Sequence, residues 1–97
     1  MLRIDRIETV PGATTLRLEG EIMGPWVDEL RRSCEPALSR TGGTLTLDLA
    51  GVSFVALDGV RLLGRLRDRG VALLNSSPFV TEQLKVASAA FTPGGSR

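Results

Sequence analysis

Leu45-Thr46-Leu47-Asp48-Leu49-Ala50-Gly51-Val52-Ser53-Phe54-Val55-Ala56-Leu57-Asp58-Gly59-Val60 is the stretch on which the reading of this chain turns. From Thr44 to Leu49 leucines alternate with Thr44, Thr46 and Asp48, the pattern of a strand with one face buried. The apolar run 52–57 follows and leads into Asp58-Gly59, where the period changes. Val60, Leu62, Leu63 and Leu66 then supply the apolar side of a helix, with Arg61, Arg65 and Arg69 at i, i+4 spacing outside. Gly70 suits a left-handed stop. Residues 71–74 are wholly apolar, the expectation for a buried central strand. Strand, helix and strand in one sheet predict a right-handed parallel crossover.

Toward the N-terminus, residues 2–7 alternate loosely and Pro11-Gly12 marks a turn. Residues 15–22 alternate more cleanly, with Leu16, Leu18, Gly20 and Ile22 opposite Arg17, Glu19 and Glu21. The short link predicts that these two strands pair antiparallel. Gly24-Pro25 opens a helix with proline at its first position. Trp26, Val27, Leu30, Cys34, Ala37 and Leu38 form its inner side, and Asp28, Glu29, Arg31, Arg32 and Glu35 its outer side. Pro36 lacks an amide hydrogen and crowds the carbonyl of Arg32, so a kink or restart is expected there. Thr41-Gly42-Gly43 ends that segment.

Toward the C-terminus, Asn75-Ser76-Ser77-Pro78 is the sharpest helix start in the chain, with Ser77 as N-cap. Phe79, Val80 and Leu84, with Val86 or Ala87, give the third helix its core face. The order is β-β-α-β-α-β-α, an α/β domain over residues 1–87. The Ala-, Ser-, Gly- and Pro-rich residues 88–97 are expected to form a flexible C-terminal tail. Functional groups of such sheets gather beyond the carboxyl ends of the parallel strands. That makes the connection 52–59 and the turn 22–26 the expected working surface.

Composition narrows the chemistry. The 97 residues allow one domain, and 42% hydrophobic residues suffice for a core. A net charge of +1, with Trp26, Phe54, Phe79 and Phe91 as the only aromatics, argues against direct nucleic-acid binding. Histidine is absent and Cys34 is the single cysteine. No Cys–His pair or Ser–His–Asp triad can be built, and a zinc site of four ligands is close to excluded. Asp48 has no second acid, base or nucleophile that the sequence places beside it, so its expected part is to satisfy loop amides. Neither an enzyme nor a cofactor-binding protein is expected. With no internal disulfide, no apolar leader core and no run of about 20 apolar residues, a cytoplasmic protein without membrane insertion is expected.

Three segments carry a family resemblance: Leu18-Glu19-Gly20-Glu21-Ile22, the strand-and-link 45–55, and Asp58-Gly59-Val60-Arg61-Leu62-Leu63, followed by Gly70-Val71-Ala72-Leu73-Leu74 and the next helix. In this order and length they resemble the STAS family of bacterial anti-sigma factor antagonists, from about the first strand to Val86. The resemblance implies a mixed four-stranded sheet with helices packed on it. It also implies a non-enzymatic protein–protein interaction module in transcription regulation. In switching members the link into the second helix ends Asp-Ser-Ser-Gly or Asp-Ser-Thr-Gly, and a partner anti-sigma kinase phosphorylates the hydroxyl residue before glycine. A helix N-terminus accommodates that phosphate, and the added charge changes the docking surface.

This sequence departs from the pattern at two places. The link reads Ala56-Leu57-Asp58-Gly59, so Asp58 stands at the phosphosite-equivalent position. The family's Gly-Glu-Leu-Asp turn reads Gly20-Glu21-Ile22-Met23. The ordinary switch is therefore expected to be absent. Asp58 has two compatible readings, a fixed charge imitating the phosphorylated state and a helix N-cap. Met23, Gly24, Trp26, Leu57, Asp58, Gly59 and Arg61 are the candidate partner contacts, although core packing is the commoner role for a tryptophan at Trp26's position and inward packing for Ala56. Arg61, Arg65, Arg67 and Arg69 read first as a solvated basic face. The expected partner is an anti-sigma factor or a kinase-like ATPase. The alternatives are an accessory subunit bracing the ATPase of an ABC-type lipid transporter, and a small-ligand-sensing domain. Oligomeric state is not readable.

Overall fold

The computed structural model describes residues 1–40 and 42–91 of the chain. β1 (Leu2–Val10) and β2 (Ala13–Ile22) form a hairpin over the Pro11-Gly12 turn, followed by α1 (Pro25–Leu38), β3 (Thr44–Val55), α2 (Leu57–Asp68), β4 (Ala72–Leu74) and α3 (Pro78–Phe91). The strands lie in the order β1-β2-β3-β4. β1 runs antiparallel to β2, while β2–β3 and β3–β4 are parallel. This is the mixed four-stranded α/β sheet with three helices that the sequence order implies.

Alternation in the sequence becomes two unlike faces. Leu16, Leu18 and Ile22 of β2 and Leu45, Leu47, Leu49, Val52 and Val55 of β3 are buried in one core. Leu30, Cys34 and Ala37 of α1, Val60, Leu62, Leu63 and Leu66 of α2, and Val80 of α3 join them. Full burial of each Leu, Ile or Val contributes roughly 1.5–3 kcal/mol, which makes this face the main source of stability. The other face carries exposed ion pairs such as Arg3–Asp5 (3.4 Å) and Arg17–Asp48 (4.0 Å), each worth little in water. Thr14 is buried, and its hydroxyl has no hydrogen-bond partner among the described residues.

The helix ends follow the local signals. Ser77 Oγ accepts the Val80 amide at 3.2 Å, the expected N-cap of α3. After α2, Gly70 takes φ 94° and its amide donates to the Arg67 carbonyl (2.9 Å), while the Val71 amide donates to the Leu66 carbonyl (3.0 Å). That bond pair is a Schellman motif, closed by the buried Leu66 and Val71.

Four expectations change. β3 does not end at Leu49. It runs on to Val55, because pairing with β2 resumes after irregularities at Arg17/Glu19 and Gly20/Glu21. Asp48 holds the first irregularity by accepting the Ala50 amide at 3.0 Å, so the amide it satisfies lies within the strand and not in a loop. The connection into α2 thereby shrinks from 52–59 to Ala56. Second, β4 is not central. It is a three-residue edge strand with Ala72 and Leu74 exposed, and the burial of that run falls on Val71. Third, α1 passes through Pro36 to Leu38 as one helix without a restart. Pro36 lies so near the end that it removes a bond to Arg32 without interrupting the helix. Fourth, Phe79 is exposed and Val80 alone of that pair is buried. α3 also extends to Phe91, past the start of the expected tail, and residues 92–97 lie outside the described residues.

Candidate functional site

The parallel strands β2 and β3 finish side by side. Ile22 pairs with Val55, and the Ala56 amide donates to the Ile22 carbonyl at 2.9 Å. From there β2 leads into α1 and β3 into α2. Gly24 makes the first turn at φ 59°, ψ −138°, a conformation that side-chain-bearing residues rarely adopt. The Trp26 amide then reaches the Met23 carbonyl (3.2 Å) and the Val27 amide the Gly24 carbonyl (3.2 Å). After β3, Ala56 is the N-cap of α2, and the Val60 amide donates to its carbonyl at 2.9 Å.

This geometry sets Met23 and Leu57 on neighbouring strand ends, both exposed, with Leu57 at 56%. Asp58 is exposed beside them. It is not the N-cap: Ala56 is, with no side-chain cap bond, and Asp58 lies within the first turn. Its Oδ1 accepts the amide of its neighbour Gly59 at 3.0 Å. A carboxylate there favours the positive end of the helix dipole by roughly 0.3–1 kcal/mol. Arg61 is exposed one turn further on.

Two of the expected contacts lie elsewhere. Gly59 is buried, and a Cβ on it would come within 2.9 Å of Ile22 Cγ2 and Val55 Cγ1 and 3.0 Å of the Ile22 carbonyl. Its place is therefore to let α2 approach the strand ends closely. Trp26 is half-buried against the core and lines a groove between β1 and α1, with Leu2, Ile4, Arg6 and Glu29. Met23, Gly24, Leu57, Asp58 and Arg61 remain around the entry to α2.

Two features of this end were not foreseen. Gln83 of α3 holds Val55 by both backbone groups: the Val55 amide donates to Gln83 Oε1 (3.1 Å), and Gln83 Nε2 donates to the Val55 carbonyl (2.7 Å). β4 covers only residues 46–48 of β3, so the Gln83 amide supplies the partner that the sheet lacks further along. Beside it the exposed Phe54 and Phe79 rings stack at 6.5 Å with 27° between planes. Replacing Gln83 with Leu leaves both Val55 groups unpaired. It is expected to cost about 1–3 kcal/mol in urea unfolding and to speed amide exchange at Val55 more than at Leu47.

Asp48 is held below the usual carboxylate range by the Ala50 amide, then by Asn75 and the Arg17 charge. Burial, with the charge of Glu35, pushes the Cys34 thiol up to about 11, which disfavours a reactive thiolate. Among the described residues no group of three or more His, Cys, Asp or Glu could hold a metal ion. No helix of the described residues is long and apolar enough to cross a membrane.

Comparison with known proteins agrees with this architecture. Residues 6–90 match the family model STAS_2, described as "Mlab, STAS domain". No curated protein matches the chain. Among solved structures the fold is similar to that of the anti-sigma factor antagonist SpoIIAA in its unphosphorylated form. The TM-score is 0.67 and the identity 24%, over 86% of this chain and 82% of that one.

Proposed function

From the premise that the chain belongs to the STAS family, we propose that it is a non-enzymatic docking module whose entry to α2 grips a protein partner constitutively. One observation carries the reading: Met23 and Leu57, one and two residues beyond the paired Ile22 and Val55, are exposed, Asp58 next to Leu57 is an exposed carboxylate, and no hydroxyl stands between Ala56 and Val60. Apolar side chains left in water beside a fixed charge suit a contact that is always competent. Met23, Gly24, Leu57, Asp58 and Arg61 form the contact, and Gly59 acts beneath it by setting the height of α2. The partner class is an anti-sigma factor or a kinase-like ATPase, which places the module in bacterial signalling in the cytoplasm.

A second reading gives the module a permanent structural place, bracing the ATPase of an ABC-type lipid transporter. The same fixed charge favours it, because a subunit that never dissociates needs no removable phosphate. A histidine-kinase-like ATPase or a sigma factor encoded nearby supports the first reading, and a transporter ATPase with its permease supports the second.

The charge is tested by Asp58→Asn, which keeps the shape and removes the carboxylate. With the partner recovered by affinity capture and identified by mass spectrometry, binding is expected to change about tenfold, or about 1.4 kcal/mol. Stability is expected to move by no more than about 1 kcal/mol, the scale of a charge at a helix end. Unchanged affinity removes the carboxylate from the account. Phosphate incorporation at another hydroxyl, such as that of Ser53, overturns the loss of the switch. At present Ser53 donates to the Gly20 carbonyl at 3.3 Å from within β3, away from a helix start.

A further inference from the structure

We propose that a second copy of this chain pairs with the outer edge of β1, antiparallel about a two-fold axis at Ile4, joining two four-stranded sheets into one. β1 is a nine-residue edge strand, paired among the described residues only with β2. The Glu21 amide donates to the Met1 carbonyl at 3.0 Å, and the register continues as Leu2↔Gly20, Arg3↔Glu19 and Ile4↔Leu18. Hydrogen-bonded pairs alternate along an antiparallel ladder. Arg3, Asp5 and Ile7 therefore spend their backbone groups on β2, while Leu2, Ile4 and Arg6 aim theirs outward at the open edge.

Charge selects the register. A two-fold at Ile4 sets Arg3 opposite Asp5 of the other copy, twice, on the polar face of the sheet. Within one chain these two already lie 3.4 Å apart, so the pairing closes a square of alternating charges. A two-fold at Asp5 would face carboxylate against carboxylate, and one at Arg6 would face guanidinium against guanidinium. Like charges directly opposite are unfavourable. A two-fold at Ile7 would use the far end of β1, which is blunted. There the register shifts between Glu8 and Val10, and Glu8 is held by Arg40 (2.8 Å) and by the Gly12 amide (3.4 Å). Bulges are one way in which edge strands are kept from pairing, and the Leu2–Arg6 half has none, while its charges Arg3 and Asp5 pair with each other (3.4 Å) and Arg3 with Glu19 of β2 (4.0 Å) on the polar face.

The opposite face of the same half fits too. Ile4 is only half-buried and borders the open groove of about 370 Å³ between β1 and α1, walled by Trp26 and Glu29. In the proposed register the two Ile4 side chains meet at the axis over adjoining grooves, and Arg6 of each copy stands opposite Leu2 of the other. About six new backbone hydrogen bonds complete the joint. The two-fold stands perpendicular to the sheet, so the helices of both copies share one side. The entries to α2 stay open and face opposite ways, which would make the docking module bivalent.

Sedimentation equilibrium of the full chain from about 5 μM to about 1 mM tests the pairing on three proteins. The wild-type chain is expected to dimerise with a dissociation constant in the micromolar range. Arg3→Asp, which puts four carboxylates in the square, is expected to weaken that dimer at least about tenfold. Arg3→Asp combined with Asp5→Arg restores opposite charges and is expected to recover the dimer. A wild-type chain that stays monomeric throughout overturns the proposal. So does a dimer that Arg3→Asp leaves intact, or one that the charge reversal fails to restore in a protein whose circular dichroism is unchanged.

Discussion

Gly59→Val is expected to remove about 3 kcal/mol or more of stability, read as a fall in the denaturant midpoint with an unchanged m-value. The first added carbon alone would meet Ile22 Cγ2 and Val55 Cγ1 at 2.9 Å and the Ile22 carbonyl at 3.0 Å. None of these can retreat cheaply. Ile22 and Val55 are at most 1% exposed, and the Ile22 carbonyl accepts the Ala56 amide that starts α2. Gly59→Ala separates two opposing effects. Helix propensity favours alanine over glycine by up to about 1 kcal/mol, whereas overpacking a core costs about 1–3 kcal/mol. With the full propensity offset the net expectation is a loss of roughly 0–2 kcal/mol, and a gain would show that α2 does not sit against the strand ends as described. Valine adds two methyl groups to the same contact, so its loss should exceed that of alanine.

Leu57→Glu has the reverse signature: a large effect on binding and little on folding. Leu57 is 56% exposed at the first position of α2, so much of its apolar surface is already in water. Glutamate in the first helical turn is tolerated by the dipole, and stability should change by less than about 0.5 kcal/mol. In a contact that desolvates Leu57, the same carboxylate would be buried unpaired beside Asp58. A loss of about 2–3 kcal/mol, or roughly 30–150-fold in affinity, is expected. The comparison uses the captured partner in titration calorimetry, with Arg69→Glu on the exposed end of α2 as a control. Equal binding by Leu57→Glu and wild type would separate the exposed leucine from any docking role.

How far the sequence carried this reading depends on the range of the physics involved. Side-chain alternation and cap chemistry are local, so the β2 pattern, Ser77 as a cap and Gly70 as a left-handed stop could be read directly. The continuation of β3 past Leu49 could not, because it depends on β2 resuming its register across irregularities 31 to 33 residues away. Residues 71–74 looked central because they are apolar, but their length and their position beyond β3 leave them at the edge. Asp58 was legible as a departure from the family pattern, yet not as a residue inside the first turn, since Ala56 carries no capping side chain to announce the start. Gln83 gave no signal at all. A lone glutamine on a helix has many uses, and only the fold brings it to Val55 over 28 residues.

Contact at the entry to α2 is tested most directly by chemical-shift mapping of the isotope-labelled chain titrated with its captured partner. Perturbations concentrated at Met23, Gly24 and residues 57–61, weakened by Leu57→Glu, are the predicted result. Perturbations confined to the polar face of the sheet or to the Trp26 groove, with those amides unmoved, would contradict it.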